Sequence, residues 1–203
     1  GITAFLVEDG SPGFRVGKKE NKMGMRASPT TDLLLEEVPV PADGLLGEEG
    51  AGWPLLLQGL SETRIFIGAL SVGLARGATE AAACYARDRT QFGKPVASFQ
   101  AVRVLLADML MGIESARSLM LRAARMQDRG DPEVRRFASM AKCYCSDTAM
   151  QVTTDAVQLM GGYGYMKDFP VERMMRDAKI TQIFEGTNQI QRMIIAGEYL
   201  SKL

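Results

Sequence analysis

The sequence predicts a mostly α protein: a C-terminal antiparallel four-helix bundle over residues 53–203, preceded over residues 1–52 by β structure belonging to a larger sheet. From about Trp53 the apolar residues recur with a period of 3.6, and the helical stretches are joined by short connections. Before that point the chain shows short apolar or alternating runs broken by turn-forming residues. With 46% hydrophobic residues in 203, there is enough apolar surface for a substantial core.

In the β segment, "GITAFLVE" and "TTDLLLEEVPVP" read as strands separated by "EDGSPG", and "PADG" as a further turn. Two or three strands rarely stand alone. The strand-like opening without Met or leader reads as a processed or fragmentary beginning, so the remaining strands are expected from missing chain or another chain. A first helix spans roughly 53–91. In the second, Val102, Leu105, Leu106, Met109, Leu110, Ile113, Leu119 and Met120 form one wide apolar face. Asp131-Pro132-Glu133 opens a third, with Asp131 suited to capping and Pro132 to the first helical position. That helix runs through Phe137, Ala141, Tyr144, Thr148, Val152 and Leu159 to Gly161 and Gly162. A last helix follows Asn188, whose side chain with Gln191 makes a capping-box variant. No transmembrane run, repeat or low-complexity tract is read. The 13 methionines fall mostly on helical faces, as adaptable core or interface packing.

Lys+Arg and Asp+Glu are both 24, so the formal net charge is zero and broad binding to nucleic acid or an anionic membrane is disfavoured. Cys84, Cys143 and Cys145 are sparse and odd in number, which points to a reducing compartment, cytoplasmic or mitochondrial matrix. Cys143 and Cys145 lie on different helix faces, and the chain has no histidine, so no metal site is expected. The lack of histidine also excludes Ser-His-Asp and Cys-His catalysis within this chain. Proton chemistry here falls to a carboxylate, Lys, Tyr or Cys.

Three helix-end clusters carry candidate chemistry, each with an ordinary structural explanation beside the functional one. "RDRTQFGKP" (87–95) is a normal stop, with Arg87 and Arg89 at the negative end of the dipole, Gly93 at positive φ and Pro95 blocking continuation. Equally, Arg89 offers a fork of donors to a phosphate, and Gln91 and Phe92 offer amide and ring contacts to a nucleotide. "QLMGGYGY" (158–165) ends a helix without following a strand, so it is not a Rossmann fingerprint, yet bare backbone at Gly161 and Gly162 allows close approach of a cofactor. In "IFEGTNQIQR" (183–192), Glu185 either complements a helix dipole or sits in an apolar setting beside Ile183 and Phe184 that would raise its pKa toward that of a general base.

Together these clusters closely resemble the C-terminal half of the acyl-CoA dehydrogenase family. "FLVEDGSPGFRVGKKENKMGMRASPT" resembles the second half of its middle β domain, a partial β-barrel segment. "ETR", "RTQFGKP…FQ", "QLMGGYGY" and "MRDAKITQIFEGTNQIQR" follow in family order and spacing. The resemblance covers essentially the whole chain. It implies a homotetrameric flavoprotein that binds FAD, oxidises an acyl-CoA thioester to its trans-2-enoyl form, and passes electrons to an electron-transferring flavoprotein. Glu185 matches the catalytic base, whose backbone N–H, with a flavin ribityl hydroxyl, stabilises the enolate oxygen. Arg89, Gln91, Phe92, Gln100, the segment from Gln158 through Gly161 and Gly162, Thr187 and Gln189 match flavin contacts, several of them to a neighbouring subunit's FAD. Ser61 to Arg64 match the substrate-contacting segment, and Gly186 leaves space beside the base. Some relatives place the base on this helix, immediately before the arginine. That position is Thr63 here, which leaves Glu185 as the base. The family's N-terminal helical domain and first half of its β domain have no counterpart in this sequence, so the isolated chain is expected to bind FAD poorly and to be inactive. The alternatives are an acyl-CoA oxidase or a non-catalytic binding or oligomerisation module of the same fold. Acyl chain length and branching do not follow from these residues.

Overall fold

The computed structural model describes residues 1–203. It comprises two compact units, Gly1–Leu60 and Ser61–Leu203. The first holds β1 (Ala4–Phe5), β2 (Phe14–Lys19), β3 (Thr31–Leu35) and β4 (Leu45–Leu46). β1 pairs antiparallel with β4 and β2 with β3, as separate two-stranded ladders. Within "TTDLLLEEVPVP" the strand stops at Leu35: Glu37 sits at φ +50, and Pro39 and Pro41 have no N–H for a ladder. Val16, Leu33 and Leu35 remain exposed within this unit.

α1 (Gly52–Asp88) begins in the first unit and supplies the first helix of the second. A hairpin follows, β5 (Thr90–Gln91) against β6 (Lys94–Pro95), then α2 (Gln100–Asp128) and α3 (Val134–Met160). A 3-10 turn over Gly161–Tyr165 leads to α4 (Val171–Thr181) and α5 (Asn188–Leu200). Side-chain pairings fix the directions. Gln127 donates to Glu62 and Met120 lies against Gly68, so α2 returns along α1. Cys145 meets the Ala116 carbonyl while Arg122 covers the Phe137 ring, so α3 returns along α2. Asp147 pairs with Arg192 and Glu133 with Lys202, so α5 runs against α3.

α3 is the centre of the bundle. Ala138, Ala141, Ala149 and Ala156 are fully buried, and such small side chains let neighbouring helices approach closely. The larger core cluster joins Val72 and Ala78 of α1, Met109 and Ile113 of α2, Val152 and Met160 of α3, and Val171 and Ala178 of α4. A smaller one groups Ile65, Ala123, Phe137 and Ala141.

The structure corrects several boundaries. α1 ends at Asp88, and residues 90–95 form a tight hairpin whose turn, Phe92-Gly93, has φ of +50 and +76, the geometry that matches strand twist. Leu110 points about a quarter-turn away from the line of Met109, Ile113 and Ala116 and is exposed, as is Tyr144. Asp131 accepts from the Glu133 N–H at 2.8 Å, one turn before α3 begins at Val134. The fourth side of the bundle is two short helices; α4, "VERMMRDAKIT", buries only the narrow stripe Val171, Ala178 and Thr181 among charges. Thr187 caps α5 by accepting from the Ile190 N–H, because Asn188 is drawn into the core. Among the methionines, Met109 and Met160 are core, whereas Met111 and Met193 are exposed. α1 is long and apolar enough by length and composition to cross a membrane; in this bundle its Ile65, Val72, Ala75, Ala78 and Ala82 supply core.

Candidate active site

α4 stops at Thr181, and the six residues before α5 fold into a turn in which Glu185 (φ +56) and Gly186 (φ +88) are both left-handed. For a glutamate that conformation is strained and has to be held by its surroundings. The Asn188 N–H closes the turn on the Gln182 carbonyl at 3.0 Å. Gln191 Nε2 donates to the carbonyls of Glu185 and Gly186, both at 3.1 Å, and occupies the space a Cβ at Gly186 would need, 2.5 Å away. The Glu185 carboxylate is half-buried and accepts from Thr63 Oγ1 at 2.7 Å through Oε2. Ile183 is exposed and Phe184 half-buried, so Thr63 rather than an apolar pocket defines the carboxylate's surroundings in this chain. The Glu185 N–H donates to no backbone carbonyl.

Beneath the turn lies a buried polar cluster that the sequence reading missed. Lys142 on α3, fully buried, donates from Nζ to the Gly186 carbonyl and to Asn188 Oδ1, each at 2.8 Å. Asn188 Nδ2 donates to Ser146 Oγ and Asp147 Oδ1, and Asp147 also receives Gln182 Nε2 and Arg192 Nη2 at 2.6 Å. Burial pushes Lys142 down to about 8, opposed by the nearby Cys143, Asp147 and Glu185 and reinforced by Arg64. Desolvation pushes Asp147 up, but its bonds from Arg192, Gln182 and Asn188 outweigh that and hold it below the usual carboxylate range. Burial also raises the thiols of Cys143 and Cys145, the latter to about 12. The sequence held one trace of this cluster: Ser139, Lys142, Ser146 and Thr153 recur at helical spacing, a polar stripe within an otherwise buried helix.

The candidate residues fall into separate groups. Thr63, Glu185 and Gly186 adjoin, and Arg64 is close enough that Glu185 raises its pKa, although burial and Arg135 together lower it. Arg64 is buried, reaches Ser139 Oγ at 3.5 Å and leaves Nε without a partner. Ser61 is half-buried on α1, Thr187 caps α5, and Gln189 is exposed in its first turn. Arg89, Gln91, Gly161 and Gly162 line an open groove of about 580 Å³ with Tyr85 and Tyr163. Arg89 stacks over the Tyr163 ring at 5.6 Å, and a Cβ on either glycine would project into open space. A guanidinium, an amide, aromatic rings and bare backbone around an open groove suit a phosphate-bearing aromatic cofactor. Phe92, Gln100 and Gln158 are exposed outside that groove, Phe92 edge-on to Phe99. No group of His, Cys, Asp and Glu has the arrangement of a metal site.

Residues 50–200 match the family model for the acyl-CoA dehydrogenase C-terminal domain. A probable acyl-CoA dehydrogenase of Mycobacterium bovis is 53% identical over 196 residues, which cover 97% of this chain and 50% of that protein. Butyryl-CoA dehydrogenase from Megasphaera elsdenii superposes with a TM-score of 0.96 at 50% identity, covering 98% of this chain and 52% of that one. A chain in a structure of the electron transferring flavoprotein of Acidaminococcus fermentans superposes equally well, with a TM-score of 0.96 at 48% identity and the same coverages. The chain spans about half the length of the curated relatives it matches. The family model over residues 50–200 and relatives about 50% identical over nearly the whole chain show that this chain belongs to the acyl-CoA dehydrogenase family.

Proposed function

We propose that this chain is the C-terminal portion of an FAD-dependent acyl-CoA dehydrogenase in which Glu185 is the general base for α,β-dehydrogenation of an acyl-CoA thioester. The observation that carries this reading is the Glu185 turn. Thr63 engages Oε2 and thereby aims the carboxylate, leaving Oε1 to take the α-proton. The Glu185 N–H, without a carbonyl partner in the chain, is available to the developing enolate oxygen. Thr63 occupies the position that resembles the place where some relatives carry their base, and its 2.7 Å hydrogen bond to Glu185 supports the reading that both positions face one spot. FAD, when bound, supplies the hydride acceptor for the β-carbon. Arg89, Gln91, Gly161 and Gly162 would hold its phosphates and rings in the groove, while Phe92, Gln100, Gln158, Thr187 and Gln189 would complete flavin contacts between subunits of a homotetramer. Ser61, Arg64 and Gly186 would line the acyl thioester. An electron-transferring flavoprotein is the proposed electron acceptor, supported by the likeness to the Acidaminococcus structure. A reducing compartment is part of this reading, on the sparse and odd set of cysteines in the sequence.

The test is Glu185→Gln in the full-length polypeptide, followed by flavin bleaching with butyryl-CoA under anaerobic conditions. Loss of a general base should slow reduction by about 10²–10⁴-fold with bound flavin retained. Turnover close to that of the parent protein would remove Glu185 from this role.

A further inference from the structure

We propose that Lys142 is a positioning residue for Glu185: from the centre of α3 its Nζ clamps the Gly186 carbonyl and the Asn188 side chain, and so fixes the left-handed turn that presents the carboxylate. The proposal rests on the reading of Glu185 as the base.

Consecutive left-handed residues at Glu185 and Gly186 do not persist unaided, because the glutamate has ordinary right-handed and extended alternatives of lower energy. Two donors grip the backbone there. Gln191 Nε2 holds both carbonyls at 3.1 Å, from the same helix that the turn leads into. Lys142 reaches the Gly186 carbonyl at a shorter 2.8 Å and from a different element, the central helix of the bundle. The same Nζ holds Asn188 Oδ1, whose amide is tied to Ser146 and Asp147, so both sides of the turn are referenced to α3. Stability alone does not call for an ammonium here. The side chain is fully buried, and a methionine of similar volume would fill that space without desolvating a charge. What the methionine lacks is a donor for the two acceptors. The groups facing Lys142 are Arg64 from α1, Glu185 from the turn, and Cys143 and Asp147 from α3, with Arg192 of α5 neutralising Asp147. Burial leaves Nζ mainly protonated at neutral pH, as a charge-assisted donor.

The experiment compares Lys142→Met and Lys142→Gln with the parent and with Glu185→Gln, all as full-length flavoproteins. Steady-state kinetics use butyryl-CoA, and amide hydrogen exchange is followed over residues 182–190. Lys142→Met should keep its flavin, exchange faster over the turn, and lose about 100-fold in kcat with KM changed less than about 3-fold, since a small misplacement of the reacting group acts on the chemical step. Lys142→Gln, with a shorter donor, should fall between. A merely structural lysine would change melting behaviour but not the kcat-to-KM split of the folded enzyme. The proposal is overturned by Lys142→Met with parental kcat and unchanged exchange, or by failure of both variants to fold, which would assign the lysine to stability. If Glu185→Gln retains turnover, the base assignment fails instead, and the exchange data still report whether Lys142 holds the turn.

Discussion

At the scale of single residues, Lys142 couples folding to pH. Its ammonium has an ordinary value of 10.5 and is pushed to about 8 by burial. Between those values the unfolded chain binds the proton that the folded chain has released, so this group makes stability rise with pH across that window. Below about pH 8 both states are protonated and the full desolvation penalty is present, at most about 3 kcal/mol. The buried thiols work in the opposite sense. With folded values raised above the ordinary one, Cys143 and Cys145 lose stability as pH climbs past the unfolded thiol's value of 9.0. Cys145 is common to the parent and Lys142→Met and cancels in their difference, whereas Cys143 faces Lys142, so the difference reads the lysine together with its coupling to that thiol. Urea midpoints should show the parent gaining on Lys142→Met by up to about 3 kcal/mol from pH 7.5 to 10.5. A difference that does not vary with pH would mean that the ammonium is not desolvated.

At the scale of elements, α2 separates core from surface within one step of the helix. Met109 is 1% exposed and belongs to the main core cluster with Ile113 and the α3 residues Val152 and Met160, whereas Asp108 beside it is exposed. Met109→Ala should cost about 2–5 kcal/mol through lost burial and an unfilled cavity. Asp108→Ala should stay within about 0.5 kcal/mol. Paired denaturation curves of the two variants would check this, and equal effects would contradict the helix register. That register was largely legible in the sequence because 100° per residue puts 102, 105, 109, 113 and 120 on one side, although Leu110, read onto the same face, is exposed. α4 was passed over for a different reason: its charged and apolar faces are well separated, but it has only 11 residues, and Val171, Ala178 and Thr181 are a small buried set in a mostly polar stretch that carries the Glu172–Arg176 pair.

For the molecule as a whole, cofactor and assembly are expected to depend on each other. Arg89 projects from the end of α1 into an open groove, held by little besides the Tyr163 ring, and Phe66, Leu70 and Phe92 expose large apolar surface. Such surface on a helical bundle is suited to burial between subunits. Arg89→Ala in the full-length protein should weaken flavin retention by about 1.5–3 kcal/mol, the range for a hydrogen bond to a charged group, and loosen the oligomer with it. Flavin absorbance after dialysis and the sedimentation profile would check both, and full retention would take Arg89 out of the cofactor site.

The sequence by itself determined the division between β and helical regions, the faces of α2 and much of α3, the stop at Gly161, and the presence of Glu185 beside a glycine. These follow from local rules: side-chain period, the φ that glycine permits, and the N–H that proline lacks. Only the tertiary structure decided what surrounds Glu185. Thr63 meets its carboxylate from 122 residues away, and Lys142 meets Gly186 from 44 residues away. No periodicity encodes such pairings. They arise because packing α1, α3 and α5 together brings the Thr63 hydroxyl to the Glu185 carboxylate and leaves the Gly186 carbonyl partly buried, where it draws the donor that α3 can bring. Asn188 shows the same competition: locally it suits a cap, but in the bundle its amide serves Lys142, Ser146 and Asp147, and the cap passes to Thr187.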